Sequence, residues 1–396
     1  MFPGYAGVWE QHKLSDVASI TMGQSPDGST YSTTPQGHIL IQGNADLSHG
    51  WVSPRVWTTQ VTKTCDAGDI IMSVRAPAGA IGRTQYNAVI GRGVAAIKGN
   101  DFIYQSLARM NDIGYWRSLV TGSTFESINS TDLKNADLCV PSLAEQRKIG
   151  SFFHKLDDLL ALHQRQTEKL RKLKQGLLQN MFPRDGESVP RLRFPGFTTT
   201  WKQQKVEELM DVTSVKRIHQ SDWTTSGVPF LRARDIVARS KHEKITDPLF
   251  ISQEKYDEYS AISGKVKLGD LLVTGVGTIG IPLLITDDKP IYFKDGNIIW
   301  FKNINNTVDG YFLYYAFCQK KVQSFINQAA GKGTVATYTI STAKSTPLVL
   351  PSSRNEQQKI GSFFHHFDDL INLHEQYVTT LKHLKKGLLQ KMFPQD

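Results

Sequence analysis

Two stretches of this 396-residue chain are near copies of one another. Residues 145–185 read EQRKIGSFFHKLDDLLALHQRQTEKLRKLKQGLLQNMFPRD, and residues 356–396 read EQQKIGSFFHHFDDLINLHEQYVTTLKHLKKGLLQKMFPQD. They align without a gap and agree at 25 of 41 positions. Chance does not supply that agreement, so the chain is an internal duplication. Two fainter echoes support it. Phe2-Pro3-Gly4-Tyr5 ahead of Trp9 matches Phe194-Pro195-Gly196-Phe197 ahead of Trp201, and Gly68-Asp69-Ile70-Ile71 matches Gly269-Asp270-Leu271-Leu272. The order is module, helix, module, helix.

The repeated stretch predicts a long amphipathic helix. Apolar residues fall at Ile149, Phe152, Leu156 and Leu159, then at Leu170, Leu173 and Leu177. The second copy repeats them as Ile360, Phe363, Phe367, Leu370, Leu381, Leu384 and Leu388. Steps of three and four make a heptad seam, and Pro183 and Pro394 act as stops. A helix of roughly 34 residues is about 50 Å long. One such rod cannot bury its seam alone, so the two copies are expected to pack as an antiparallel coiled coil about a pseudo-two-fold. His163 and His374 share one seam position, where a register-fixing polar pair is preferred to a metal pair or pH switch. Asp157-Asp158 and Asp368-Asp369 point about 100° apart on a helix and are expected to be solvated or partner-binding rather than catalytic dyads.

Between the repeats, each module shows short β-type runs separated by Gly, Pro, Asn and Ser turns. They are Ile39–Gln42, Asp69–Val74 and Val94–Ile97 in the first, and Phe230–Arg232, Asp270–Thr274 and Ile298–Phe301 in the second. Each module also carries one helical segment, Phe102–Val120 or Tyr311–Ala329. The fold class is mixed α/β. The net charge of +9 favours an anionic partner, and nucleic acid first among them. No run approaches 18 apolar residues and the start shows no charged head before an apolar run, so the expectation is a cytoplasmic chain with no membrane partner. Cys65, Cys139 and Cys318 lack metal-ligand spacing and are expected to be buried small hydrophobes in a reducing compartment.

Base readout needs forked or amide side chains at exposed turns, and phosphate positioning needs Lys, Arg, Ser, Thr and backbone N–H groups. The candidates in the first module are Gln24, Ser25, Gln42, Asn44, Arg75, Arg92, Ser123 and Thr124. In the second they are Arg232, Arg234, Thr274, Thr278, Lys332 and Thr334. Gln42/Asn44 and Arg232/Arg234 each precede an acid, Asp46 or Asp235, after an apolar run. The basic stretch Arg165–Lys174 is read as a solvated or partner-facing helix side.

Motifs that suggest catalysis fail on context. Gly275-Val276-Gly277-Thr278-Ile279-Gly280 matches a dinucleotide fingerprint, but Pro282 and strand-like residues follow where a helix must begin. Gly331-Lys332-Gly333-Thr334 lacks the hydroxyl residue after its lysine that a phosphate loop needs. No methyltransferase, nuclease or metal motif is present, so no catalytic or metal-binding residue is assigned.

The duplicated EQ-x-KIGSFF…DDL…GLLQ-x-MFP helix, the RFPGF opening ahead of Trp201, and the GDIIMSVRAPAG and GDLLVTGVGTIG segments make the chain resemble the specificity subunits of type I restriction–modification enzymes over its whole length. The resemblance implies target recognition domains at 1–142 and 186–351, each reading one half of a split double-stranded DNA site. It implies spacer helices at 143–185 and 352–396 that bind two methyltransferase subunits. It also implies adenine-N6 methylation and cleavage by partners, which would use S-adenosylmethionine, and ATP with Mg for the restriction subunits, with no cofactor in this chain. The chain opens just before Trp9 and ends without a long tail, so no fused catalytic domain is expected. The competing reading is a coiled-coil scaffold whose modules bind protein or carbohydrate.

Overall fold

The structure is a computed structural model and describes residues 7–119, 127–241, 243–304, 307–330 and 336–394. The Phe2–Tyr5 echo, Val120, Ser123, Thr124, Gly331, Lys332, Gly333, Thr334, Gln395 and Asp396 lie outside the described residues. The chain divides into two compact units. One contains residues 1–168 and 373–396, and the other residues 169–372. The division cuts both repeats, because each folds as one helix of 39 residues, Leu143–Met181 and Arg354–Met392. Every unit therefore takes the first part of one helix and the last part of the other.

In the first unit, strand Ile70–Ser73 sits inside a six-stranded sheet between Val94–Lys98 and Ile81–Arg83. Its side chains are buried on both faces. Ile70 and Met72 join the core beneath the helices, and Ile71 joins a second core with Ile41, Cys65 and Ile90. That second core is covered by a five-stranded sheet in which His38–Ile41 pairs in parallel with Ala88–Ile90. The second unit repeats the plan with four-stranded sheets. Leu271–Thr274 lies between Ile298–Lys302 and Pro282–Leu284, and Val228–Leu231 pairs in parallel with Tyr292–Phe293. The predicted helical segments each divide. The first gives Asp101–Asp112 and Tyr115–Ser118, separated at Gly114, whose φ of +82° a helix cannot use. The second gives Gly310–Phe317 and Lys320–Ala329.

The far end of each long helix completes a module core. In the first unit Phe393 stacks on Phe102 at 5.2 Å, with Trp9 edge-on to both. In the second, Phe182 stacks on Phe312 at 5.4 Å, with Trp201 edge-on to both. The repeated Met-Phe-Pro ending is thus the plug of an aromatic core. The repeated Glu-Gln opening anchors the other end. Buried Glu356 accepts two hydrogen bonds from Arg193 at 2.6 and 2.8 Å and one from the Trp201 indole at 3.3 Å. Gln357 accepts from the Asp309 N–H at 2.9 Å, and Gln146 accepts from the Asn100 side chain at the same distance.

Within each unit the two long-helix segments run antiparallel. Asp157 accepts from Lys385 at 2.5 Å and from Gln105 at 2.7 Å, while His163 and His374 share an Nδ1–Nδ1 hydrogen bond of 2.8 Å. In the second unit Asp368 pairs with Lys174 and accepts from the Tyr315 hydroxyl at 2.6 Å. The first aspartate of each pair is therefore an interhelix anchor, not a solvated residue. Asp158 and Asp369 remain exposed beside His154 and His365. Lys174 likewise leaves the solvated basic side and joins the packing.

The predicted seam holds at Ile149, Leu156 and Ile360 and shifts by one residue at the alternate positions. Ile149, Phe153, Leu156 and Leu160 are buried, as are Ile360, Phe364 and Ile371. Phe152, Leu159, Leu173, Leu370 and Leu384 are instead exposed at 39–50%. The reason is that Phe152-Phe153, Leu159-Leu160 and Leu370-Ile371 are apolar doublets, so two stripes fit the heptad equally well, and the module core selects the second. Leu170, Leu177, Phe363, Phe367, Leu381 and Leu388 are half-buried. Cys65 is buried as expected, Cys139 is half-buried, and Cys318, at the C-terminal cap of the Gly310–Phe317 helix, is exposed.

Gly361 sits against the start of the Gly310–Phe317 helix. A Cβ there would fall 2.6 Å from Asp309 Oδ1 and 2.7 Å from the Phe312 amide nitrogen. Gly387, on the same long helix, faces open space. Gly361→Ala is expected to destabilise the protein by about 1–3 kcal/mol, because the crowding outweighs the helix-propensity gain. Gly387→Ala is expected to stabilise it by up to about 1 kcal/mol. Urea unfolding of the two variants checks the opposite signs.

Candidate nucleic-acid interface

In the first unit, four segments end on one rim: the loop after Ser19–Met22, the ends of the parallel strands His38–Ile41 and Ala88–Ile90, and the end of Ile70–Ser73. They enclose a cleft of about 620 Å³ lined by Ser25, Gln42, Asn44, Arg75 and Arg92, with Tyr31, Ser73 and backbone of Gly43 and Gly93. Five of the sequence-predicted residues therefore converge, and Gln24 stands exposed beside Ser25. The backbones approach so closely that a Cβ on Gly93 would overlap Gln42 O, and one on Gly23 would overlap Gly91 O. Glycine is required at both positions.

Buried Asp46 organises the rim. Its carboxylate accepts from the Gln42 N–H at 2.8 Å, the Gly43 N–H at 3.2 Å and Arg55 Nε at 3.0 Å. It is a turn anchor, and at 2% exposure it is not presented to a base. The Arg92 N–H donates to Ser25 Oγ at 3.2 Å. The Arg75 and Arg92 guanidiniums are exposed and have no protein partner among the described residues. The rim can therefore offer two free forked cations and two amides to an anionic, hydrogen-bonding ligand.

The second unit places different residues at the same strand ends. Buried Asp235 repeats the role of Asp46, accepting from the Arg232 N–H at 2.8 Å, but here Arg232 Nε also donates to it at 3.0 Å. Arg232 additionally donates to Asp247 O at 2.5 Å. Its side chain is only 16% exposed, which makes it scaffold rather than reader. Arg234 is 56% exposed and donates to Asp247 at 3.0 Å. Thr274 is fully buried. Its hydroxyl donates to Thr278 O at 2.6 Å and accepts from the Ile281 N–H at 2.9 Å, so it braces a hairpin turn and cannot touch DNA. The glycine-rich Gly275–Gly280 segment is that turn, and Pro282–Leu284 follows as a strand. Thr278 is exposed on it.

Similarity to known proteins runs along both modules. The family described as type I restriction modification DNA specificity domain matches residues 7–172 and again 198–383. The chain belongs to that family. It is 23% identical over 423 residues to the type I restriction enzyme MjaIX specificity subunit of Methanocaldococcus jannaschii, covering 97% of this chain and 92% of that one. It is 31% identical over 179 residues to the protein named MjaX specificity subunit from the same organism, covering 43% of this chain and 41% of the relative. The chain thus spans less than half the length of that relative. The crystal structure of a type I restriction–modification S subunit from M. genitalium shares the fold at a TM-score of 0.69 and 15% identity, over 100% of this chain and 99% of that one.

Specificity-domain architecture lets the two modules be aligned through strand register. Ile71 and Leu272 occupy the same place in the repeated Gly-Asp-apolar motif. Ala96 pairs with Ile71 and Thr21 with Ala96, just as Trp300 pairs with Leu272 and Thr213 with Trp300. Four residues beyond Thr21 and Thr213 stand Ser25 and Arg217. Likewise the Gly91 N–H bonds Ile41 O and the Lys294 N–H bonds Leu231 O, which sets Arg92 opposite Asp295. Arg75 and Val276 also correspond, each making an isolated bridge, to Ser127 and Thr337 respectively. Arg217 is 69% exposed and donates through Nε to Asp295 at 3.0 Å. It was not among the predicted residues, although an arginine in a polar run after a short strand is a usable signal.

Asp46→Ala is expected to leave two rim N–H groups and Arg55 without their acceptor. The expected loss is about 1–3 kcal/mol of stability. Hydrogen exchange at Gln42 and Gly43 should accelerate before that of Ile70–Ser73, and uniform acceleration would contradict the local role.

Proposed function

We propose that this chain is the DNA-reading subunit of a type I restriction–modification complex and is not itself an enzyme. One observation carries the reading: two modules of one fold present different side chains at equivalent strand ends, with Gln42, Arg75 and Arg92 on one and Arg217, Arg234 and Val276 on the other. Forked and amide groups at such rims suit base edges in a major groove, and unlike rims suit a split, asymmetric double-stranded target. The net charge of +9 supports attraction to phosphate.

On this reading the long helices separate the half-sites and dock two methyltransferase subunits. A helix of 39 residues is about 58 Å long at 1.5 Å per residue. The exposed apolar residues Leu159, Leu173, Leu370 and Leu384 support docking, since grouped apolar surface favours a partner. S-adenosylmethionine, and ATP with Mg, would belong to the methyltransferase and restriction subunits. The site of action would be the cytoplasm, and no described helix is long and apolar enough to cross a membrane.

The test is genome-wide adenine methylation in a methylation-free host that expresses this chain with its neighbouring methyltransferase gene. The expected result is one split motif with an unread gap, lost when this chain is omitted. Replacing residues 1–142 by another recognition domain should change one half of that motif only. Inserting one heptad into both helices should lengthen the gap and leave both half-sites unchanged. Methylation without a split motif, or without dependence on this chain, would end the reading.

A further inference from the structure

The two rims differ in where they carry charge, and the difference is a strand-to-strand exchange. At one pair of equivalent positions the first module carries Arg92, on the loop after the second parallel strand, beside the small hydroxyl of Ser25. The second module carries Arg217 at the Ser25 position and Asp295 at the Arg92 position. We infer that Arg217, held by Asp295, is the guanine-reading residue of the second half-site, and that Asp295 is its positioning residue. The assignment rests on the DNA-reading function proposed above and deepens it.

Three features support this. The guanidinium has five N–H donors, and Asp295 takes only the one on Nε. The terminal fork, which is the part that engages guanine O6 and N7, has no other partner among the described residues. The platform beneath it is also fixed. The Lys216 N–H donates to Ser263 Oγ at 2.8 Å, and the Lys216 carbonyl accepts from the Tyr292 hydroxyl at 2.8 Å. Burial pushes the Tyr292 phenol up to about 12, so this hydroxyl keeps its proton at neutral pH. Finally, Asp295 is itself only 18% exposed, so it offers Arg217 a largely buried anchor. A carboxylate 3.0 Å from Arg217 Nε also disfavours a phosphate partner for the same guanidinium, which leaves a base edge as the matching acceptor.

The experiment uses the assembled complex of this chain with its methyltransferase partner. Affinity is measured for the methylated motif and for duplexes substituted one base pair at a time. Arg217→Ala should relax discrimination at one G·C pair of the second half-site by roughly 5- to 150-fold, corresponding to about 1–3 kcal/mol. Discrimination in the first half-site should be unchanged. Arg217→Lys should keep the salt dependence of wild type and restore discrimination only in part, because an ammonium can donate to guanine but lacks the planar fork. Asp295→Asn should weaken discrimination at the same pair by a smaller factor. Uniform loss of affinity across all duplexes, with rescue by lysine, would make Arg217 a phosphate contact and overturn the assignment. Intact discrimination in Arg217→Ala, beside a wild type that reads a split motif, would overturn it alone. A wild type with no split motif would overturn the DNA-reading function with it.

Discussion

The interhelix pairs Asp157–Lys385 and Asp368–Lys174 hold together segments that the chain supplies from opposite ends of its sequence. All four side chains are 17–27% exposed, so the charges are partly desolvated and the net gain from each pair is modest. Their main contribution is register. A one-residue slip of either helix would turn each aspartate by about 100° from its lysine and leave a half-buried charge without a partner. Asp157 is also tied to Gln105, and Asp368 to Tyr315, so the register of the helices is locked to the position of each module. The His163–His374 bond adds a third polar contact of the same kind.

Once the register is set, the ends of the repeats explain themselves. Phe182 and Phe393 each enter a module core, and buried Glu356 closes its end of the second helix through Arg193 and Trp201. Gly150 and Gly361 complete the arrangement, since each lies where a module helix begins and a Cβ would meet backbone. The opening of each repeat is thus a set of docking points against its module. The near-identical segments make the same contacts in both units, whereas the rims carry different side chains.

The duplication, the presence and antiparallel direction of the long helices and the main buried strands were legible, because each is a periodic signal spread over many residues, whereas the helices run to 39 residues rather than roughly 34. Ile70–Ser73, Val94–Lys98, Leu271–Thr274 and Ile298–Lys302 all fall within predicted β-type runs or within one residue of them. The seam phase was not legible, because adjacent apolar pairs satisfy two stripes and only the module core chooses between them. The first rim was read well because Gly, Pro and Asn turns mark strand ends where polar residues gather. The second was read less well. Arg232 and Thr274 have the right chemistry in the right turns but spend it on Asp235, Asp247 and the hairpin. Their burial depends on tertiary contacts that no local pattern encodes. Arg217 escaped for the converse reason, since its significance comes from register across the sheet.

The arrangement separates stability from recognition at the level of single residues. Asp46 and Asp235 fix the rim by accepting the backbone N–H groups of Gln42 and Arg232, bonds that any side chain other than proline at those two positions leaves available. Ser73 and Thr274 do the same from the neighbouring strand, with hydroxyls bonded to Arg75 O and Thr278 O. The displayed side chains, in contrast, make few contacts with their own module. Replacing one costs little folding energy, because exposed positions rarely carry more than about 0.5 kcal/mol. The same replacement can change base discrimination by about 1–3 kcal/mol. That inequality is what allows two copies of one scaffold to keep their cores and carry different rims.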